Sequence, residues 1–274
     1  MESGESVPDR DSRRDRRWNA AAYHRVSQPQ VSWGKKILAG LRLRGDEVLM
    51  DAGCGTGRLT SELLDALHEG RVVGVDSSEN MLAAAREHLR PQFGSRVQLV
   101  AADLERLPFE QAFDGIFSTA AFHWVPNQKQ LFLGLLRALR PGGWLRAQCG
   151  GARNLARLRR RMDRLATTPK FAACLAGFPS PWVFHNAQEA AALLAEVGFR
   201  ETETNLEPAL TVFENAQSYS EFVRTVIVRL HLERLPDGSL RTEFVEELTR
   251  QASTDDPPFA LDYWRLNLRG TKPA

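Results

Sequence analysis

The sequence predicts an α/β fold built on a doubly wound, mostly parallel β-sheet with helices on both faces. From Glu47 onward, strand-like and helix-like segments alternate at short spacing, which is typical of this fold class. Five strand-like segments occur within about 100 residues, and each ends near an Asp, Ser or Cys residue at a loop. Because ligands of such sheets bind beyond the carboxyl ends of the strands, these polar residues mark the expected functional site.

The predicted strands alternate with amphipathic helices. The strands are short apolar runs at residues 48–51, 71–76, 97–103, 113–119 and 144–149. Apolar residues at helical spacing give the intervening helices their buried faces: Leu59, Leu63, Leu64 and Leu67, then Met81, Leu82, Ala85 and Leu89, then Leu131, Leu135, Leu136 and Leu139. We expect the last of these helices to end at the sequence RPGG, residues 140–143, because Pro141 cannot continue the helical hydrogen bonds.

The regular alternation stops after Gly151. The sequence RNLARLRRRMDRL, residues 153–165, predicts a helix with an apolar face and an arginine face, the latter formed by Arg153, Arg157, Arg160 and Arg164. This arginine face is either solvated or part of an anion-binding lid. Further along, the sequence predicts a loop at 166–185, a helix at 187–197, a strand at 200–206, two helical stretches within 216–252 and a final strand at 259–270.

Composition limits the class of protein. The 274 residues are 43% hydrophobic and 26% charged, which is typical of a soluble protein with one sizeable core. The formal net charge of +2 gives no reason to expect a nucleic-acid or membrane partner. Three cysteines without a CxxC pair support neither a disulfide framework nor a zinc site, so we expect a cytoplasmic protein and no metal. No apolar run approaches the roughly 20 residues of a membrane helix, and the N-terminus lacks the apolar segment of a signal peptide.

The N-terminal segment, residues 1–17, interleaves arginines with aspartates and contains almost no apolar side chain. Such a segment cannot offset the entropy lost on ordering, so we predict a disordered tail. A nucleic-acid-binding arm is the alternative, although the aspartates cancel much of the positive field.

Three glycines follow the first predicted strand and indicate a loop that closes over a ligand. They are Gly53, Gly55 and Gly57, and Arg58 stands where a dinucleotide-binding loop places its third glycine. This departure argues against a bound pyrophosphate. Asp76 ends the second strand, where a carboxylate can accept both hydroxyl protons of a ribose. The expected ligand therefore has a ribose but needs no phosphate contacts.

The sequence DAGCGTG, followed by VVGVDSSENML, VAADLERLPF and FDGIFSTAAFHWV, resembles the class I S-adenosylmethionine-dependent methyltransferases over residues 47–150. The resemblance implies a Rossmann-like, seven-stranded sheet in a single domain, residues 18–274, with helical cap elements around 18–40, 151–185 and 216–252. It also implies S-adenosylmethionine as cofactor, with the glycine loop against its methionine part. The residues it assigns to cofactor binding are Asp51, Gly53, Gly55, Gly57, Asp76, Ser77, Met81, Asp103 and Leu104.

Three further stretches, RWNAAAYHRVSQPQ, FHWVPNQ and FALDYWRLNLRG, resemble the trans-aconitate and juvenile-hormone-acid methyltransferases, whose products are methyl esters of carboxylic acids. In that branch, residues at the positions of Gln30 and Trp124 border the substrate. His123 follows the fourth strand and has three possible roles: a general base, a residue that orients the substrate, or a packing residue. An ionised carboxylate needs no base, whereas a phenol or alcohol would benefit from one.

The resemblance leads us to expect methyl transfer to a small-molecule acceptor, with a carboxylate oxygen as the favoured target. The alternatives are methylation of a carbon, nitrogen or hydroxyl group of a metabolite, or a non-catalytic protein that binds the cofactor. Methylation of nucleic acid lacks support because the sequence STAAFHW replaces the NPPY-like or DPPY-like motif after the fourth strand. The sequence leaves the acceptor's identity and the oligomeric state open.

Overall fold

The structure, a computed structural model, describes residues 18–274, so the predicted disordered tail lies outside the described residues. The described chain forms these α-helices: α1 (Ala20–Val26), α2 (Gln28–Ala39), α3 (Arg58–Ala66), α4 (Glu79–Phe93), α5 (Gln128–Ala138), α6 (Ala156–Ala166), α7 (Ala172–Leu175), α8 (Ala187–Val197), α9 (Ala216–Phe222), α10 (Arg229–Arg234) and α11 (Gly238–Ala252). Its strands are β1 (Val48–Ala52), β2 (Arg71–Asp76), β3 (Val97–Ala101), β4 (Phe113–Thr119), β5 (Leu139–Gly150), β6 (Arg200–Pro208), β7 (Thr211–Val212), β8 (Ala260–Leu261) and β9 (Trp264–Thr271).

Seven strands form one twisted sheet in the order β3-β2-β1-β4-β5-β9-β6. Strands β1 to β5 are parallel, and β9 runs antiparallel to both of its neighbours, β5 and β6. The predicted fold class, a doubly wound and mostly parallel seven-stranded sheet, is confirmed. The strand order reverses between β1 and β4, and a crevice opens at such a switch point, beyond the carboxyl ends of the strands.

Apolar clusters cover both faces of the sheet and a third region beside it. Helices α5 and α8 pack on one face around residues such as Leu135 and Leu194, and α3 and α4 pack on the other around Leu63 and Leu89. The third cluster joins α6, α7, α9, α10 and α11. The amphipathic spacing seen in the sequence therefore corresponds to buried helix faces.

The start of the fifth strand differs from the prediction by several residues. Strand β5 begins at Leu139, directly after α5, whereas the sequence predicted a strand from residue 144. The extra residues form an irregularity, since Phe113 pairs with Leu139 but Gly115 pairs with Trp144, and Gly142 in between has a φ of +77°. The helix therefore ends at Ala138, before the RPGG sequence, and this sequence belongs to the bulged start of a strand.

The final strand predicted at residues 259–270 is divided. Its first part, β8, pairs with β7 in a separate two-stranded sheet, and its second part, β9, joins the main sheet. Asp262 lies between them and accepts the backbone N–H of Arg157, while its carbonyl oxygen accepts the N–H of Leu155. The prediction of one continuous strand was wrong because these bonds turn the chain toward the start of α6.

The arginine face of α6 is only partly solvated. Arg160 and Arg164 are exposed, whereas Arg157 is half-buried and lies near the carboxylates of Asp255 and Asp262. The predicted loop at 166–185 contains the one-turn helix α7, and the region 216–252 contains α9, a π-helical turn (Val223–Ile227), α10 and α11. Among the described residues, no helix combines the length and apolarity that crossing a membrane requires.

Candidate active site

A cavity lies at the switch point of the sheet, and most of the predicted site residues line it. The residues of the wall that the sequence had predicted are Gln30, Gly53, Gly55, Asp76, Ser77, Met81, Asp103, Leu104, His123 and Trp124. Residues from the three predicted cap segments complete the wall, among them Tyr23, Trp182 and Ile227. Loops after β1, β2, β3 and β4 therefore meet the helical segments around one space.

The glycine loop presents bare backbone to this cavity. The N–H groups of Gly53 and Cys54 donate to the carbonyl oxygen of Val75 at 2.7 and 3.0 Å, which fixes the loop against β2. Gly55 has a φ of +54°, and a Cβ atom built there would meet no atom within 4 Å. A side chain at this position would project into the cavity, so glycine lets a ligand approach the backbone closely.

Asp76 is held in a fixed orientation at the carboxyl end of β2. Its Oδ2 accepts the N–H of Gly55 at 3.0 Å, and its Oδ1 accepts the N–H of Ser78 at 2.8 Å. Burial raises the pKa of Asp76, and the backbone hydrogen bonds oppose this shift. A carboxylate has about four acceptor positions, so Asp76 retains capacity for the two hydroxyl groups of a ribose.

Two predicted cofactor residues, Asp51 and Gly57, lie behind the cavity wall. Asp51 is 3% exposed, and the hydroxyl of Thr60 donates to its Oδ2 at 2.6 Å. Burial raises the pKa of Asp51 to about 7. A Cβ atom on Gly57 would lie 2.7 Å from Leu89 Cδ1, so this glycine permits α3 and α4 to pack closely.

His123 lines the cavity as a neutral hydrogen-bond donor. It lies in a turn after β4, is 8% exposed, and its Nδ1 accepts the backbone N–H of Gly150 at 3.2 Å. Burial lowers the pKa of His123 to about 3, and the charge of Arg265 acts in the same direction. Because Nδ1 accepts a bond, the proton of the neutral ring lies on Nε2. Neither His24 nor His185 is part of the cavity wall.

Arg265, which sequence reasoning did not select, is buried in the wall beside His123. It lies on β9 opposite Gly150 and is 2% exposed. Its Nε donates to Gln148 Oε1 at 3.4 Å, its guanidinium lies 4.5 Å from the ring centroid of Trp33, and its Nη2 has no hydrogen-bond partner among the described residues. No carboxylate of the described residues lies within ion-pair distance of it; burial lowers the pKa of Arg265, and the charge of Glu207 opposes this shift. No sequence signal distinguished Arg265, because the same strand also contains Asn267 and Arg269.

Arg229 is a second cavity residue that the sequence did not reveal. Its Nη1 forms an ion pair with Glu233, and its guanidinium lies 4.8 Å from the ring centroid of Trp18. Its Nε and Nη2 are buried without a hydrogen-bond partner among residues 18–274. The π-helical turn before α10 places it there, next to Val226 and Ile227 of the same wall.

The residues that line the cavity are suited to binding S-adenosylmethionine. Asp76 suits the ribose, the bare backbone at Gly55 suits the methionine part, and Met81 and Leu104 offer apolar surface for an adenine. The described residues contain no cluster of His, Cys, Asp and Glu side chains that could hold a metal ion.

Comparisons with known proteins agree with this fit. A family described as "Methyltransferase domain" matches residues 49–143. Trans-aconitate 2-methyltransferase of Variovorax paradoxus is 39% identical over 131 residues, which cover 48% of this chain and 49% of that protein. The uncharacterized methyltransferase C70.08c of Schizosaccharomyces pombe is 30% identical over 190 residues, which cover 66% of this chain and 70% of that protein. The match thus spans about half the length of the trans-aconitate relative.

A solved structure supports the fold. Phosphoethanolamine N-methyltransferase 2 of Haemonchus contortus, in complex with S-adenosyl-L-methionine, superposes with a TM-score of 0.62 at 18% identity, covering 98% of this chain and 61% of that one. Together with the sequence relatives, the glycine loop and Asp76, these findings establish the family. The chain belongs to the class I S-adenosylmethionine-dependent methyltransferases.

Proposed function

We propose that this protein transfers the methyl group of S-adenosylmethionine to a carboxylate oxygen of a small-molecule acceptor and so forms a methyl ester. The observation that carries the proposal is Arg265, a buried cation that lines the cavity and has an unpartnered Nη2. A buried charged group that is not fully hydrogen-bonded is costly, and an anionic ligand offsets that cost. The relatives named for trans-aconitate act on a carboxylic acid, which supports the same substrate class.

Arg265 and His123 can both donate hydrogen bonds to the acceptor carboxylate. Arg265 can bind one oxygen of the carboxylate through its free Nη2, and the Nε2–H of His123 can donate a second hydrogen bond. The remaining lone pairs of the carboxylate then stay available for reaction. Fixed orientation of this kind can contribute roughly 7 to 11 kcal/mol to lowering the barrier.

The state of His123 favours a carboxylate over a hydroxyl acceptor. A general base must be able to take a proton, yet burial holds the pKa of His123 near 3. A carboxylic acid with a pKa of about 4 is already ionised at neutral pH and has no proton to remove. When bound, S-adenosylmethionine supplies a methyl group already activated by its sulfonium, so the protein needs to align the acceptor and exclude water.

We infer that the segments around 18–40, 151–185 and 216–252 act as a cap over the sheet within a single domain. Each of the three segments contributes to the cavity wall, through Gln30, Trp182 and Arg229 respectively. Gln30 supports a role at the acceptor because its Oε1 is buried without a partner among the described residues. Such a cap would keep water from the reacting groups. The proposed site of action is the cytoplasm.

The test is the chemical nature of the product. The purified protein is incubated with methyl-labelled S-adenosylmethionine and a mixture of carboxylic acids, and the labelled product is treated with mild alkali. We expect the label to be released as methanol, because alkali hydrolyses esters. Label that remains attached would overturn the ester assignment and indicate methylation of a carbon, nitrogen or hydroxyl group.

A further inference from the structure

The acceptor side of the cavity is bordered by a continuous strip of aromatic rings. The rings of Trp124 and Trp182 lie 5.7 Å apart between centroids, and those of Trp182 and Phe184 lie 5.8 Å apart and only 11° from parallel. The ring of His123 continues the strip, 5.8 Å from that of Phe184. Aromatic faces of this kind bind flat π systems by offset stacking or edge contacts.

The acceptor side can neutralise one negative charge. Arg265 has no carboxylate partner in the part of the chain that the structure describes, whereas Arg229 is already paired with Glu233. Two acidic residues of the wall, Asp76 and Asp103, belong to the side assigned to the cofactor. A second carboxylate would therefore lie against aromatic rings without a free cation to compensate it, which is unfavourable.

Arg229 nevertheless has donors to offer. Its Nε and Nη2 are buried and unpartnered among residues 18–274, although its charge is balanced by Glu233. A neutral oxygen atom can accept from such donors without adding charge to the site. The guanidinium of Arg229 lies over the ring of Trp18, and the ring centroids of Trp18 and Trp124 are 5.7 Å apart. The donors of Arg229 are therefore next to the aromatic strip.

We infer that the acceptor is an aromatic monocarboxylic acid that carries a neutral oxygen substituent such as a hydroxyl group. This inference rests on the proposed function. The carboxylate lies at Arg265, the ring lies on the strip formed by Trp124, Trp182 and Phe184, and the oxygen substituent accepts from Arg229. The acceptor thus differs from the tricarboxylate for which the trans-aconitate relatives are named.

The experiment compares matched acids as acceptors for the full-length protein. The probes are 3-(4-hydroxyphenyl)propanoate, 3-phenylpropanoate, 3-cyclohexylpropanoate and trans-aconitate, and the measured quantity is kcat/KM for alkali-labile label. We expect kcat/KM to decrease in that order. The value for 3-phenylpropanoate should exceed that for 3-cyclohexylpropanoate by about threefold or more. Equal use of the aryl and cyclohexyl acids, or a preference for trans-aconitate, would overturn the inference and leave the proposed function intact. Absence of alkali-labile product from every acid would instead contradict the proposed function.

Two variants test the assigned contacts. Arg229→Gln is expected to remove the advantage of the hydroxyl group while the unsubstituted aryl acid still reacts, and Trp182→Leu is expected to reduce the aryl preference. Trp264→Leu is the matched control, because Trp264 lies outside the cavity wall, against Arg153. Thermal unfolding of all variants checks the fold. A hydroxyl advantage that survives Arg229→Gln, or an aryl preference unchanged in a folded Trp182→Leu variant, would overturn the inference.

Discussion

His123 illustrates how a single hydrogen bond fixes the tautomer of a side chain. Its position after β4 fits a base, a donor or a packing residue equally well. The backbone N–H of Gly150 at 3.2 Å from Nδ1 leaves the proton on Nε2, and burial keeps the ring neutral. The Nε2–H group can donate a hydrogen bond to a methyl acceptor that is already ionised, as a carboxylate is. The orientation of His123 is therefore consistent with the proposed reaction.

The pH dependence of turnover tests this account of His123. Since its pKa lies near 3, the ring stays neutral above about pH 5, and the acceptor carboxylate is ionised there as well. We expect kcat at saturating cofactor to stay level between about pH 5.5 and 8.5, and His123→Asn to lower it only modestly. A tenfold fall in kcat per pH unit below about 6.5, abolished in His123→Asn, would mean that His123 acts as a base.

Asp51 should make the protein less stable as the pH rises. Its folded-state pKa of about 7 lies above the unfolded value of roughly 4, so the folded state binds the proton more tightly between these values. The unfolding free energy of the wild type should therefore fall, relative to Asp51→Asn, as the pH rises from 5 to 8, by about 2 kcal/mol. Asparagine can still accept from Thr60, which makes it a conservative reference.

Urea unfolding of both proteins at several pH values measures this difference. A constant difference across the range would show that Asp51 is ionised in the folded state throughout. The predicted change in stability is that of the protein without cofactor, so the unfolding experiments contain no cofactor.

At the scale of elements, the glycine loop between β1 and α3 carries the cofactor assignment. Gly55→Ala places a methyl group in the cavity, where it meets no protein atom within 4 Å, and should weaken S-adenosylhomocysteine binding by about tenfold or more. Gly142→Ala is the matched control, since Gly142 also has a positive φ, +77°, and open space around it, but lies in the bulged start of β5. Each variant should lose about 1 to 2 kcal/mol of stability from left-handed strain.

Calorimetric titration with S-adenosylhomocysteine distinguishes the two variants. Equal affinity in Gly55→Ala and Gly142→Ala would contradict the placement of the methionine part of the cofactor against the loop.

Elements were predictable wherever local pattern and tertiary packing agree. Strands β2 and β4 begin and end at the residues that the apolar runs predicted. The start of β5 was not predictable, because its irregular pairing with β4 keeps a Pro-Gly-Gly segment within the sheet. The break between β8 and β9 depends on Asp262, whose bonds to α6 come from residues about 105 positions away.

At the scale of the whole molecule, the residues that line the proposed cofactor side of the cavity could be predicted, and those of the proposed acceptor side largely could not. Residues such as Gly55 and Asp76 belong to one contiguous βαβ segment with a recognisable pattern. Arg229 and Arg265 come from distant parts of the chain, and only the antiparallel pairing of β9 with β5 brings Arg265 next to Gly150. Both arginines are notable because they have buried nitrogen atoms without hydrogen-bond partners among the described residues. No sequence pattern indicates this property.

The measurement that tests the central claim most directly is the effect of Arg265→Gln on the two ligands separately. We expect the acceptor KM to rise by about 10- to 100-fold, the value of one charge-assisted hydrogen bond, while the Kd for S-adenosylhomocysteine changes by less than about twofold. Arg269→Gln, on the same strand but paired with the exposed Glu203, should alter neither. An unchanged acceptor KM in Arg265→Gln, or a loss of S-adenosylhomocysteine affinity as large as the rise in KM, would contradict the assignment of Arg265 to the acceptor carboxylate.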